Sequence, residues 1–278
     1  MNAGNPFPGP RLPALSSRDK LSTGLAGLLI VAAAFSWLAS YYLMPQLSSG
    51  DGAIGRDGVS MIVSSLSVSS LAIFEVVWLV GMAAMMFPAM IPVVLFYNSV
   101  VAEQEANPSQ IRSVGTPLFL LGYLATYAGL GLLIYLAIFG VLSYTSSSPA
   151  LSSLGRFAPG FVLIVAGLYQ VSSLKLKSLL SCTSPADFFV LHSRTGLLGA
   201  VQMGLSHGKY CVGCCWAYML VMMAVVAMSI PFMAVMAGII AFEKVAVRGA
   251  IWFSRVVAGA LIAIGFAVIY WPEILAVL

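Results

Sequence analysis

Seven apolar stretches run along this chain, at about 21–44, 70–97, 117–142, 157–174, 210–228, 231–242 and 252–270, with polar segments between them. They are apolar on all sides, with neither the single stripe of an amphipathic helix nor the alternation of a barrel strand. Most approach the roughly 20 residues that a helix needs to cross a bilayer, and inside lipid a helix satisfies its own backbone. The pattern predicts an all-α fold: a polytopic transmembrane helical bundle of about seven spans.

Breakers and polar runs set the expected boundaries. Residues 1–20 hold four prolines with Arg11, Arg18 and Lys20, and read as a flexible basic tail before a single integral membrane domain at 21–278. The first stretch follows basic residues, as a signal peptide does, but it is long and lacks a small-x-small site; it reads as an uncleaved helix. Pro88 and Pro92 fall inside the second stretch and predict a kink there. Residues 98–115 and 175–210 read as polar loops, the latter containing a short re-entrant or interfacial helix at 196–205. Ser229 and Pro231 separate the fifth and sixth stretches, which should pair as a short helical hairpin; merging them would give six spans.

Composition strengthens this picture. The chain has 278 residues, of which 60% are apolar and 8% charged, and its mean hydropathy is +1.00. Soluble domains carry about 25% charged residues. With the N-terminus in the cytoplasm, the inner segments hold eleven Lys and Arg residues and the outer ones only Arg56 and Arg156. That asymmetry predicts a multi-pass protein of the cell membrane, lipid-embedded, with residues 175–210 facing the cytoplasm. The net charge of +4 lies in loops and gives no reason to expect a nucleic-acid partner. Nucleotide-binding and nucleophile-elbow motifs are absent. Two histidines are too few for a multi-His catalytic metal centre built by this chain alone; whether the chain is an enzyme stays open, with a binding role favoured over catalysis on its own.

The chemistry concentrates at 207–223, HGKYCVGCCWAYMLVMM, with three of the four cysteines. At 100° per residue, His207, Cys211, Cys214, Cys215, Tyr218 and Met222 fall within an arc of roughly 100°, with Met219 at its edge. Cys211 and Cys214 have the C-x-x-C spacing of a chelating pair. Thiolate with thioether favours Cu(I); thiolate with imidazole also accepts zinc or iron. Met82, Met85 and Met86 on the second stretch are candidate further ligands, and core fillers otherwise. Cys182 is a weaker candidate. Glu75, inside an apolar run, marks either a pathway or a helix end. Glu243 with Lys244 and Arg248 reads as an interfacial charge cluster.

Five segments carry a resemblance: WLVGMAAMMFP (78–88), AGLYQVSSLK (166–175), SLLSCTSP (178–185), GLSHGKYCVGCCW (204–216) and FEKVAVRG (242–249). Together they resemble the predicted metal-binding integral membrane protein family, whose core is GxYCxGCCW. The resemblance implies metal binding and puts Met82, Met85, Met86, Pro88, Cys211, Cys214, Cys215, Trp216, Met219 and Glu243 on motif positions. The family commonly shows a C-x-x-x-C pair before the core; here Ser178 takes the first place and only Cys182 remains.

Three functions are therefore expected in order. The first is binding or relaying Cu(I), as a copper-loading factor or a subunit of a membrane metalloenzyme complex, with a metalloenzyme or metal chaperone as partner. The second is thiol–disulfide or electron transfer through Cys211 and Cys214, whose position at a helix start would favour the thiolate. The third is a structural subunit whose cysteines only pack.

Overall fold

The computed structural model describes residues 18–47, 66–104, 107–146, 157–225, 229–245 and 250–271. These residues are almost wholly helical and contain no strand. Among the described residues, nine α-helices of eight residues or more follow one another: α1 Arg18–Leu47, α2 Val68–Phe96, α3 Thr116–Ser146, α4 Ala158–Gln170, α5 Ser173–Thr183, α6 Pro185–His192, α7 Gly196–Ala224, α8 Ile230–Val245 and α9 Ala250–Tyr270. The basic tail at 1–17 and the connection at 226–228 lie outside the described residues.

Local chemistry explains the starts. The Ser67 hydroxyl accepts from Ser70 N–H at 3.1 Å and caps α2. Ser172 does the same for Lys175 N–H at 3.2 Å at the head of α5. Each supplies a partner for a backbone donor that the first helical turn leaves free. Gly196 opens α7 with a φ of +76°, a left-handed value that a side chain would resist.

Among the described residues, four helical runs are long and apolar enough to cross a membrane: Ser22–Leu43, Val68–Val101, Pro108–Tyr144 and Ile251–Tyr270. The pair α4 and α5, bent by 65° at Val171–Ser172, makes a fifth if taken as one span. Of the other expected stretches, α8 has only 16 residues, and α7 carries His207 and Lys209 near its middle. Leu28, Val31 and Phe35 of α1, Leu121 and Leu133 of α3, and Phe266 of α9 are all exposed. Such an apolar exterior is compatible with a membrane protein.

The polar loops expected from the sequence are instead folded. Residues 175–210 comprise most of α5, all of α6 and the first half of α7. Residues 196–205 are not a separate re-entrant helix: α7 runs unbroken from Gly196 to Ala224. Single glycines at 204 and 208 do not stop a helix that is packed on several sides. The 98–115 segment is likewise mostly helical, with π turns at Tyr97–Val101 and Ile111–Gly115. Pro88 and Pro92 lie inside α2, which continues through both to the first of those π turns.

α7 is the central element. It packs along α3 and also meets α4 and α5, while α4 lies on α9 and α1 on α2. α8 touches α7 but also packs on α2, α5 and α9, so it is not simply the second arm of a hairpin. The α3–α7 contact is nearly backbone to backbone. A methyl group on Gly204 would stand 2.0 Å from Phe119 O, and one on Gly122 would stand 2.3 Å from Val201 O. Small residues at helix crossings permit this approach.

Gly204→Ala would gain about 1 kcal/mol of helix propensity. The overlap is with backbone that cannot rotate aside, so the helices must part, a change that typically costs about 1–3 kcal/mol. Thermal unfolding in detergent should therefore show Gly204→Ala less stable than the parent. Gly259→Ala on α9, with open space around it, should be neutral or stabilising. Equal midpoints for Gly204→Ala and the parent would disprove the close crossing.

Candidate metal centre

His207 and Cys211 are one helical turn apart on α7, and α5 brings Cys182 against them. The ligand atoms of Cys182, His207 and Cys211 all lie within 4.8 Å of one another. Cys211 Sγ is 3.4 Å from His207 Nε2 and 2.7 Å from Cys182 Sγ. Both cysteines are free thiols, farther apart than the roughly 2.05 Å of a disulfide. All three residues are buried.

An aromatic wall surrounds the imidazole. Phe188 of α6 meets it edge-on with ring centres 4.9 Å apart, and Phe119 and Tyr123 of α3 lie at 6.3 and 6.2 Å. His207 Nδ1 is sealed from solvent without a hydrogen-bond partner. A buried nitrogen left without a partner costs free energy. Two sulfurs and an imidazole at this range offer a donor set that fits a soft ion, and the dry wall excludes competing water.

The remaining candidates from the sequence separate into two groups. Cys214 and Cys215 are buried on the same helix, but their Sγ atoms donate to Cys211 O at 3.1 and 2.7 Å. Both thiols bond to the backbone, and that of Cys214 is also in side-chain contact with Cys182 and Cys215. Tyr127 OH lies 3.9 Å from Cys215 Sγ, and Tyr123 OH is 3.3 Å from Tyr127 OH. Met82, Met85, Met219 and Met222 are all buried in the core. Met86 is also buried; its Sδ is 3.9 Å from Lys244 Nζ, which in turn is 3.6 Å from Cys211 Sγ.

The sequence reading missed a buried polar hub beside this cluster. Glu243 is not in an interfacial charge group. Its carboxylate accepts from Lys175 Nζ at 2.8 Å at both oxygens. Tyr218 OH and Ser254 Oγ donate to it at 2.8 and 2.7 Å. Lys175 also donates to Gln170 Oε1 and, at 3.3 Å, to Tyr218 OH. The hub joins α4, α5, α7, α8 and α9, and the Lys175 and Glu243 side chains are only 1% and 3% exposed. Glu243 and Lys244 are adjacent on α8, about 100° apart, so one faces the hub and the other the sulfur cluster. Paired cationic and acidic residues inside apolar text were the available signal: LKLKS at 174–178 and FEK at 242–244.

Glu75 also lies within the fold. Both its oxygens are sealed from solvent and have no hydrogen-bond partner. They face Gly131 of α3, where a methyl group would stand 2.9 Å from each.

An all-helical, apolar chain with a buried Cys–His–Cys cluster defines a helical protein suited to holding a soft metal ion. The profile of the PpoB2 copper chaperone family matches residues 75–268, and the chain belongs to that family. The match spans well over half of the chain, from Glu75 to Val268, and includes the whole cluster and the hub. No curated protein and no solved structure matches the chain.

Proposed function

We propose that this protein is a multi-pass membrane copper chaperone that takes up Cu(I) at Cys182, His207 and Cys211 and passes it to a copper-using partner. One observation carries the reading: three soft or borderline donors from two helices, all buried, converge within 4.8 Å of one another. Membership of a copper chaperone family supports copper as the cargo, over the zinc or iron that thiolate and imidazole also accept. The four long apolar helices support the membrane placement. Cys214 and Cys215, one turn further along α7, are the next thiols available to a departing ion. Met82, Met85, Met86, Met219 and Met222 are the proposed thioether relay.

The test is metal analysis of the full chain, purified in detergent and loaded anaerobically with Cu(I). The parent should retain about one ion per chain, and the double variant Cys182→Ser/Cys211→Ser should retain none above background. Unchanged copper in that variant would overturn the site. An alkaline carbonate wash of membranes should leave the protein in the pellet, and its release would contradict the membrane placement.

The 2.7 Å approach of Cys182 and Cys211 favours a second reading, in which these two form the thiol–disulfide pair in place of Cys211 and Cys214. Peptide mapping of protein purified without reductant separates the readings. A Cys182–Cys211 bridge in active protein that carries no copper would favour redox work.

A further inference from the structure

The ammonium of Lys244 sits beside the cluster, 3.6 Å from Cys211 Sγ and 3.9 Å from Met86 Sδ. The adjacent carboxylate, Glu243, is committed to Lys175. Among the described residues, no carboxylate pairs with Lys244. The other polar groups facing the site are the hydroxyls of Tyr123 and Tyr127 and the thiols of Cys214 and Cys215, the thiols donating to Cys211 O. The charge near the ion is therefore set by Cys182, Cys211, His207 and Lys244.

We infer that Lys244 is a fixed counter-charge that makes this site select a monovalent ion over a divalent one. The inference rests on the metal-site reading above and adds a specificity-determining residue to it. A metal-bound cysteine is a thiolate and a metal-bound histidine is neutral. Two thiolates and an imidazole around a monovalent ion leave a net charge of −1, and Lys244 brings the buried group to zero. The same ligands around a divalent ion are already neutral, and the half-buried Lys244 ammonium is then a positive charge without a partner against them. A charge partly withdrawn from water and left unpaired is unfavourable. The ammonium thus attracts one complex and gains nothing from the other. The Lys175–Glu243 pair sums to zero and does not alter the count.

The experiment uses the full chain in detergent, with Ag(I) as a monovalent probe that resists oxidation and Zn(II) as the divalent competitor. Affinities for both are measured by competition titration for the parent, Lys244→Leu and Lys244→Arg. Lys244→Leu should shift the Ag(I)-to-Zn(II) affinity ratio toward zinc by roughly tenfold or more, tenfold being about 1.4 kcal/mol. Lys244→Arg keeps the charge and should hold the parent ratio. Lys244→Gln carries the same test if the leucine variant does not fold. An unchanged ratio in the uncharged variant, with Ag(I) still lost in Cys182→Ser/Cys211→Ser, would overturn the selectivity role and leave the site standing. Retention of Ag(I) in the double cysteine variant would instead remove the site itself.

Discussion

Glu243→Leu is expected to destabilise the fold by about 3–5 kcal/mol, because it strands the Lys175 ammonium without its counter-charge. The carboxylate accepts from Lys175, Tyr218 and Ser254, so its removal also leaves hydroxyl donors short of an acceptor. Each of these groups belongs to a different helix, and the loss should be felt across α5, α7, α8 and α9 together. The double variant Lys175→Leu/Glu243→Leu removes both charges and should recover much of that loss, since a buried ion pair replaced by apolar groups is often near neutral. Unfolding in detergent micelles, followed by far-ultraviolet circular dichroism, measures both. A single Glu243→Leu variant as stable as the parent would show that the hub does not hold these helices.

The second large effect separates the cysteines. Cys182→Ser or Cys211→Ser should each lower Cu(I) affinity by more than about 100-fold, above the roughly 10–100-fold carried by groups that only orient ligands. Serine offers a hard oxygen where the ion needs a soft sulfur. Cys214→Ser and Cys215→Ser should retain Cu(I), because their thiols are turned onto Cys211 O, while slowing its transfer to an acceptor. Affinity is read by competition with a chromophoric Cu(I) chelator, and transfer by the rate at which the chelator removes bound copper. Equal losses of affinity for all four single variants would mean that the four thiols act as one site.

Much of this architecture was legible in the apolar runs. The nine helices include the long stretches expected from hydropathy, because an all-apolar run of this length has few other stable forms. Residues 175–210 were misread as a loop for an identifiable reason. Lys175 looked like a solvated charge, but its partner Glu243 lies 68 residues away in sequence, and pairing at that distance leaves no local trace. Burying Lys175 allows α5 to lie against α7, with Ser178 Oγ placed 2.6 Å from where a methyl group on Gly213 would be. Cys182 is one turn beyond Ser178 on α5, and there it meets Cys211. The sequence pattern grouped His207 and Cys211 correctly on one turn, since i and i+4 share a helix face. It had no means of distinguishing Cys214 and Cys215, which share that arc yet direct their thiols to the backbone. Met86 was grouped with Met82 and Met85 by the run of methionines in WLVGMAAMMFP and by the family resemblance. Its approach to Lys244 comes from the packing of α8 on α2.

X-ray absorption at the copper edge of the Cu(I)-loaded full chain tests the central claim most directly. The Cys182–His207–Cys211 site predicts two sulfur scatterers and one nitrogen scatterer. The spectrum should be unchanged in Cys214→Ser/Cys215→Ser and lost in Cys182→Ser. A shell of three sulfurs that persists when Cys182 is serine would contradict it, and would place the copper on Cys211, Cys214 and Cys215 instead.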